Sequence, residues 1–327
     1  MRKNISHLSL CALLLALSAS AQAQQPAKIS RIGRLAIASQ SAESARIEAF
    51  RNGMRDLGYV EGKNIVVEWR FADGKLERLP AQAAELVRLK LEIIVSAGST
   101  PTRAARAATS TIPIVMCNDN DPVGDGFVAS LARPGGNISG LSNFAPELSG
   151  KRLEILREVL PKLSRVAVIG TSTNPAYAQV IKEVELAAKA LGVKLQNLDV
   201  LDSKDIESAF RAASKGRADG VLVLTSATLV PQRVQLAQLA AKHRLPVIYS
   251  NSQYVEAGGL IFYGANVLDL DRRAATYVDK ILKGRAPADL PVEQPIKFEF
   301  IINLKAAKQI GLTIPPNVLV RADRVIK

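Results

Sequence analysis

The chain has 327 residues, 48% of them hydrophobic and 22% charged, and its 43 Lys and Arg against 30 Asp and Glu leave a formal net charge of +13. Such a composition builds a packed core and excludes a disordered or fibrous chain. The basic side chains are scattered over amphipathic stretches (Arg46, Arg51, Arg55; Arg103, Arg106; Arg272, Arg273) without an aromatic-interleaved strip, so the surplus reads as a solvated surface and not as a nucleic-acid face.

In chain order, residues 1–23 come first and read as an export signal. Arg2 and Lys3 give the positive start, residues 8–17 the short apolar stretch, and Ala21 and Ala23 flank Gln22 in a small-x-small cleavage site. The apolar stretch is shorter than the roughly 20 residues a spanning helix needs, so cleavage is expected and the mature chain should begin near Gln24. Cleavage removes His7 and Cys11, leaving His243 and Cys117 as the single imidazole and single thiol. One cysteine allows no internal disulfide even at an oxidising destination, so stability must come from packing. The remaining chain suits two domains of about 150 residues each.

A weak internal repeat then appears at an offset of roughly 133 residues, the size of a domain and not of a solenoid unit. In the first copy, strands are expected at 31–38, 64–70, 92–96 and 112–116, with helices at 43–57, 79–89 and 101–109. The second copy places strands at 165–170, 193–200, 220–224 and 245–249, with helices at 176–191, 206–213 and 230–243. Each fourth strand opens with an apolar residue and a proline, Ile112-Pro113 and Leu245-Pro246. Between the copies, 119–150 reads as a crossover with a strand at 138–142. After them come a strand near 260–263, a helix at 268–282, a proline-rich linker at 283–295, a strand at 298–302 and a helix at 304–310. Short, continuously apolar strands alternating with helices mean parallel sheets covered on both faces. The expected fold is therefore α/β, with two doubly wound Rossmann-like lobes: 29–140 plus 265–290, and 141–264 plus 291–327. The chain should pass between them several times, near 119–145, 252–266 and 284–297, giving a hinge.

No arrangement for covalent or metal chemistry is legible. A lone His243 and a lone Cys117 assemble neither a zinc site nor a Ser-His-Asp triad, and no G-x-S-x-G elbow occurs. The stretch from Gly124 through Gly126 to Ala129 matches G-x-G-x-x-A but lies beyond the fourth strand, outside the first βα turn where a dinucleotide fingerprint works. No cofactor, metal or catalytic residue is expected. What remains are polar loops at the carboxyl ends of the strands, where doubly wound sheets bind ligands. They contribute Ser39, Gln40 and Ser41, then Gly98, Ser99 and Thr100, then Asn118 and Asp119 from the first copy. The second copy contributes Thr173 and Asn174, Thr225 and Ser226, and Asn251, with Tyr177 and Tyr254 as aromatics able to stack on a ligand. Ser99 and Thr100 open a helix, so their backbone N–H groups are candidates for a ligand carboxylate, with small Gly98 letting it approach.

The chain resembles the exported solute-binding proteins of ABC transporters, in the subfamily that includes tryptophan-uptake binding proteins. The likeness rests on Phe71 to Lys75 with Arg78-Leu79-Pro80, on Asp121 to Gly124, on Ser130 to Gly136, and on Glu147 to Leu153. It continues through Ala240 to Pro246, Tyr254 to Gly259, Arg272 to Asp279 and Gly311 to Pro316. The resemblance implies a type I periplasmic-binding fold, a periplasmic location, two lobes closing on a small solute, and delivery to a membrane permease. It does not carry tryptophan over, because the expected rim is rich in Ser, Thr and Asn and poor in aromatics. A monomer holding one small amino acid or carboxylate-like solute is expected. A ligand-sensing module docking on a membrane receptor shares the same fold and site, and a secreted α/β enzyme is the remaining alternative.

Overall fold

The computed structural model describes residues 29–143, 147–174, 177–226 and 228–327; the expected export signal lies outside them. Two sheets carry the fold. The first is made of β1 (Ser30–Ala36), β2 (Ile65–Phe71), β3 (Ile93–Ser96), β4 (Ile114–Asp119) and β5 (Ile138–Ser142), in the order β2-β1-β3-β4-β5 and parallel throughout. Along β4 the side chains alternate between two cores. Val115 and Cys117 face α1 (Ser44–Asp56), whereas Ile114 and Met116 face α2 (Leu79–Arg88) and α3 (Ser99–Ala108). A period-two strand buried on both faces needs apolar residues at every position, which is why these strands read as unbroken apolar runs.

The second sheet contains β6 (Arg165–Gly170), β7 (Lys194–Asp199), β8 (Gly220–Val223), β9 (Val247–Tyr249), β10 (Ile261–Ala265), β11 (Phe298–Asn303) and β12 (Arg324–Ile326). Its order is β12-β11-β10-β9-β8-β6-β7. The expectation of wholly parallel sheets needs correction here: β10 pairs with β11 antiparallel, and β12 then runs parallel to β11. The chain leaves β10, spends a helix on the first lobe, and comes back along the neighbouring edge, so no βα crossover enforces a parallel return. One face is covered by α4 (Glu147–Val159), α5 (Tyr177–Leu191), α10 (Leu304–Gln309) and α11 (Pro316–Leu319); the other by α6 (Asp205–Lys215), α7 (Arg233–Lys242) and α8 (Ser252–Glu256). Helix α4 is absent from the sequence reading, which treats its start as part of the crossover.

Helix α9 (Val267–Leu282) is the piece exchanged between lobes. It follows β10 of the second sheet yet packs on α1 and β4 of the first, through Leu270, Ala274, Tyr277 and Val278. Gly53 of α1 makes this possible, since a Cβ there would lie 2.2 Å from the Arg272 carbonyl oxygen. The chain thus changes lobe after β5, at Asn266, and again on the way to β11. A change of lobe after residue 140 is overturned by β5, which stays in the first sheet through Ser142. Likewise Val292, assigned in sequence to the second lobe, is buried in the first lobe's core. The returning strand is stitched to its neighbours: Ser142 N–H donates to Glu293 O, Glu293 N–H to Gly140 O, and Asn266 N–H to Lys297 O. Among the described residues no helix is long and apolar enough to cross a membrane.

Candidate functional site

The carboxyl ends of β1, β3 and β4 face those of β6, β8 and β9 across a cleft. Two joined cavities fill it, of about 450 and about 110 Å3, both bordered by Asn118, Asn120, Asn143, Thr225 and Asn251. Cavities of this order hold small molecules.

The larger cavity lies toward the first lobe. Ser39, Gly98, Ser99 and Thr100 line it, together with Ser226 from the second lobe. Gly98 has φ of 107°, a left-handed conformation that favours glycine, and it turns the chain from β3 into α3. Helix α3 begins at Ser99, earlier than the expected start at residue 101. Pro101 has no N–H and the Thr102 N–H donates to Gly98 O, which leaves the amides of Ser99 and Thr100 at the helix mouth. Asp119 does not reach the cleft. The pleat of β4 turns it under α3 while Asn118 and Asn120 face the ligand space, and its carboxyl accepts from Thr102 Oγ1 at 2.7 Å. Burial raises the Asp119 pKa to about 7 against the pull of Thr102 and Ser99. Gln40 and Ser41 also miss the cleft: they are exposed in the turn before α1, where Ser41 Oγ meets Ser39 Oγ at 3.1 Å.

On the second-lobe side the smaller cavity is lined by Asn174, Tyr177, Thr225 and Asn251 among the expected residues. Hydroxyl and amide pairs fix this wall. Thr171 Oγ1 meets Ser226 Oγ at 2.8 Å, Thr225 Oγ1 meets Ser250 Oγ at 2.7 Å, and Asn174 Nδ2 donates to Thr225 O at 3.2 Å. Asn251 also caps α8, accepting from Gln253 N–H. Thr173 is exposed outside the cavity. Tyr254 is a correction: it is fully buried in the lobe core, stacked on Tyr249 with ring centroids 4.9 Å apart, because the Asn251 cap sets α8 with that face against the sheet. Tyr177 is the expected aromatic that reaches the cavity, and Phe262, itself only 2% exposed, closes the wall beside it with Val180, Leu224 and Val267, so this wall is more apolar than the sequence suggests.

Two charged groups escaped the sequence reading. The first is a buried ion-pair cluster that ends in the larger cavity. Asp271 of α9 accepts from Arg34 Nη2 at 2.7 Å and from Arg46 Nε at 2.6 Å, and Glu43 lies 2.9 Å from Arg46 Nη1. Arg46 Nη2 then donates to Asn118 Oδ1 at 3.2 Å, tying the cluster to the cleft wall. Burial alone would push the Asp271 carboxyl up, but Arg46 and Arg34 hold it below the usual carboxylate range. The second is Arg152 of α4, 7% exposed, which lines the smaller cavity and has no carboxylate partner among the described residues. Desolvation lowers its pKa to about 10, so it stays charged at neutral pH. Nor does any group of three or more His, Cys, Asp and Glu among those residues form a metal site.

Two lobes, a polar cleft between the strand ends and three passages of chain beside it define a two-lobed small-molecule binding protein. Residues 31–326 match the family model for ABC transporter substrate binding proteins, and the chain belongs to that family. A tyrosine-binding protein of Clostridioides difficile is 26% identical over 265 residues, 81% of this chain and 76% of that protein. A conserved domain protein from Vibrio cholerae superposes with a TM-score of 0.81 at 29% identity, covering 91% of this chain and all of the other. A structure from Streptococcus pneumonia, described as an ABC domain in complex with L-Trp, gives the same TM-score at 23% identity, covering 91% and 99%, and supports the fold alone.

Proposed function

We propose that this protein captures a small organic solute between its lobes, an amino acid with a bulky, apolar or aromatic side chain, and delivers it to an ABC permease from the periplasm after export. The observation that carries the reading is the cleft lined from both lobes by strand-end loops, polar along Asn118, Asn120, Asn143 and Asn251 and apolar at Tyr177 and Phe262. Neutral carboxamides suit a zwitterion, and the ring-bearing wall suits its side chain. The name of one similar protein, tyrosine-binding, points the same way. The protein acts as a monomer with one solute per molecule, because the cleft is complete within one chain. A thermal-shift screen of the twenty L-amino acids and small carboxylates tests this: a true solute at a hundredfold excess over its Kd stabilises by about 2.7 kcal/mol. No shift with any of them would refute solute capture of this class.

A further inference from the structure

We infer that Arg152 is the anchor for the solute's carboxylate, so that a free carboxylate is what a solute must carry to be held. This rests on the amino-acid reading above and adds the ligand group and the residue that takes it. Two arginines are buried among the described residues. Arg34 is neutralised by Asp271 at 2.7 Å. Among the described residues Arg152 has only neutral acceptors: its Nε donates to Tyr263 O at 2.7 Å and its Nη1 to Ser149 Oγ at 3.3 Å. Nη2 donates to no described group and is not among the atoms sealed from solvent without a partner, so it opens on the cavity that Arg152 lines. A buried cation without a counter-charge is costly, and a carboxylate arriving in the cavity supplies one. With Nε pinned to Tyr263 O, the guanidinium plane is fixed, and Nη2 with the second hydrogen of Nη1 is left to meet a carboxylate in a two-bond fork. Tyr177 and Phe262 in the same cavity are then placed for the rest of an aromatic amino acid.

The rival anchor, the mouth of α3, is less suited. It offers two backbone amides, with the Asp119 carboxyl buried beneath them and Glu43 and Asp73 on the same cavity wall. Arg46 on that wall is already committed to Asp271 and Glu43. Arg233 faces the same cavity, but it is half-exposed and its charge is solvated.

Calorimetry with L-tyrosine, L-tryptophan and their primary amides, L-tyrosinamide and L-tryptophanamide, tests the assignment on the intact mature chain. The wild type should hold at least one acid ten- to a hundredfold more tightly than its amide. Arg152→Met should remove that preference by weakening the acid while changing amide affinity less than about threefold, and Arg233→Gln should preserve it. Should Arg152→Met fail to fold, Arg152→Lys, which keeps the charge and loses the fork, should reduce the preference part-way. Equal binding of acid and amide by the wild type overturns the assignment, as does equal weakening of both by Arg152→Met or loss of the preference in Arg233→Gln. Binding of none of the four overturns the aromatic amino-acid reading itself, and the anchor with it.

Discussion

Replacing Asp271 by Asn keeps the shape of the side chain and removes one charge from the centre of the first lobe. Asp271 and Arg34 are both fully buried, and with Glu43 and Arg46 they form a cluster of two positive and two negative groups. After the change two guanidinium groups share the single carboxylate of Glu43, whose Oε2 lies 3.7 Å from Arg34. Unit charges about 4 Å apart attract by about 4 kcal/mol at an effective dielectric constant of about 20, and two such attractions are lost while the cost of burying the Asp271 charge is relieved. Breaking a buried pair from one side costs about 3–5 kcal/mol. We expect a loss of that size for D271N in urea denaturation followed by circular dichroism, out of a total of about 5–15 kcal/mol for a domain. Because Asp271 fastens the exchanged helix α9 to β1 and α1, the loss should fall on the first lobe and also loosen Arg46 at the cleft wall. The pH dependence has a definite sign. The folded carboxyl titrates below its ordinary value of 3.8, so its contribution is present above that pH and is lost as pH falls through the folded value. A D271N variant within 1 kcal/mol of wild type would refute the claim that this cluster holds α9 in place.

Other outcomes follow from the same geometry. Asp119 has a folded pKa of about 7 against an ordinary 3.8, so the stability linked to its protonation is present below pH 4 and lost as pH rises through 7. D119N should therefore gain on wild type by up to about 4 kcal/mol between pH 4 and pH 8, and parallel pH profiles of the two would contradict it. Cys117 is fully buried and burial pushes its thiol up to about 12, so a maleimide should label it only as the first lobe unfolds; rapid labelling of the native chain would disprove this. If the three passages beside Asn266 form a hinge, X-ray scattering at saturating solute should give a smaller radius of gyration, and an unchanged radius would argue for a rigid cleft.

Sequence alone determined the architecture because it depends on short-range patterns. Unbroken Val and Ile runs such as residues 93–95 can serve only strands covered on both faces, Gly58 and Gly192 close helices locally, and the repeat marks two lobes that share the order of their first four strands, to which only the second adds the antiparallel pair β10–β11. The same logic located the strand-end loops, and Ser39, Gly98, Ser99, Thr100, Asn118, Asn174, Tyr177, Thr225, Ser226 and Asn251 do border the cleft. Direction within a loop was not legible. The pleat puts Asp119 beneath a helix between two cleft-facing asparagines, and the Asn251 cap turns Tyr254 into the core. Helix α4 was missed because Gly150 interrupts its apolar pattern near its start. With it went Arg152, whose acceptor Tyr263 is 111 residues away. The charge cluster lay equally out of reach, since Arg46 and Asp271 are 225 residues apart. Their meeting depends on α9 crossing back to the first lobe, a choice made by Gly53 and the apolar face of α9 in three dimensions. Local periodicity fixes which elements form; only the closed fold decides which charges they bring together.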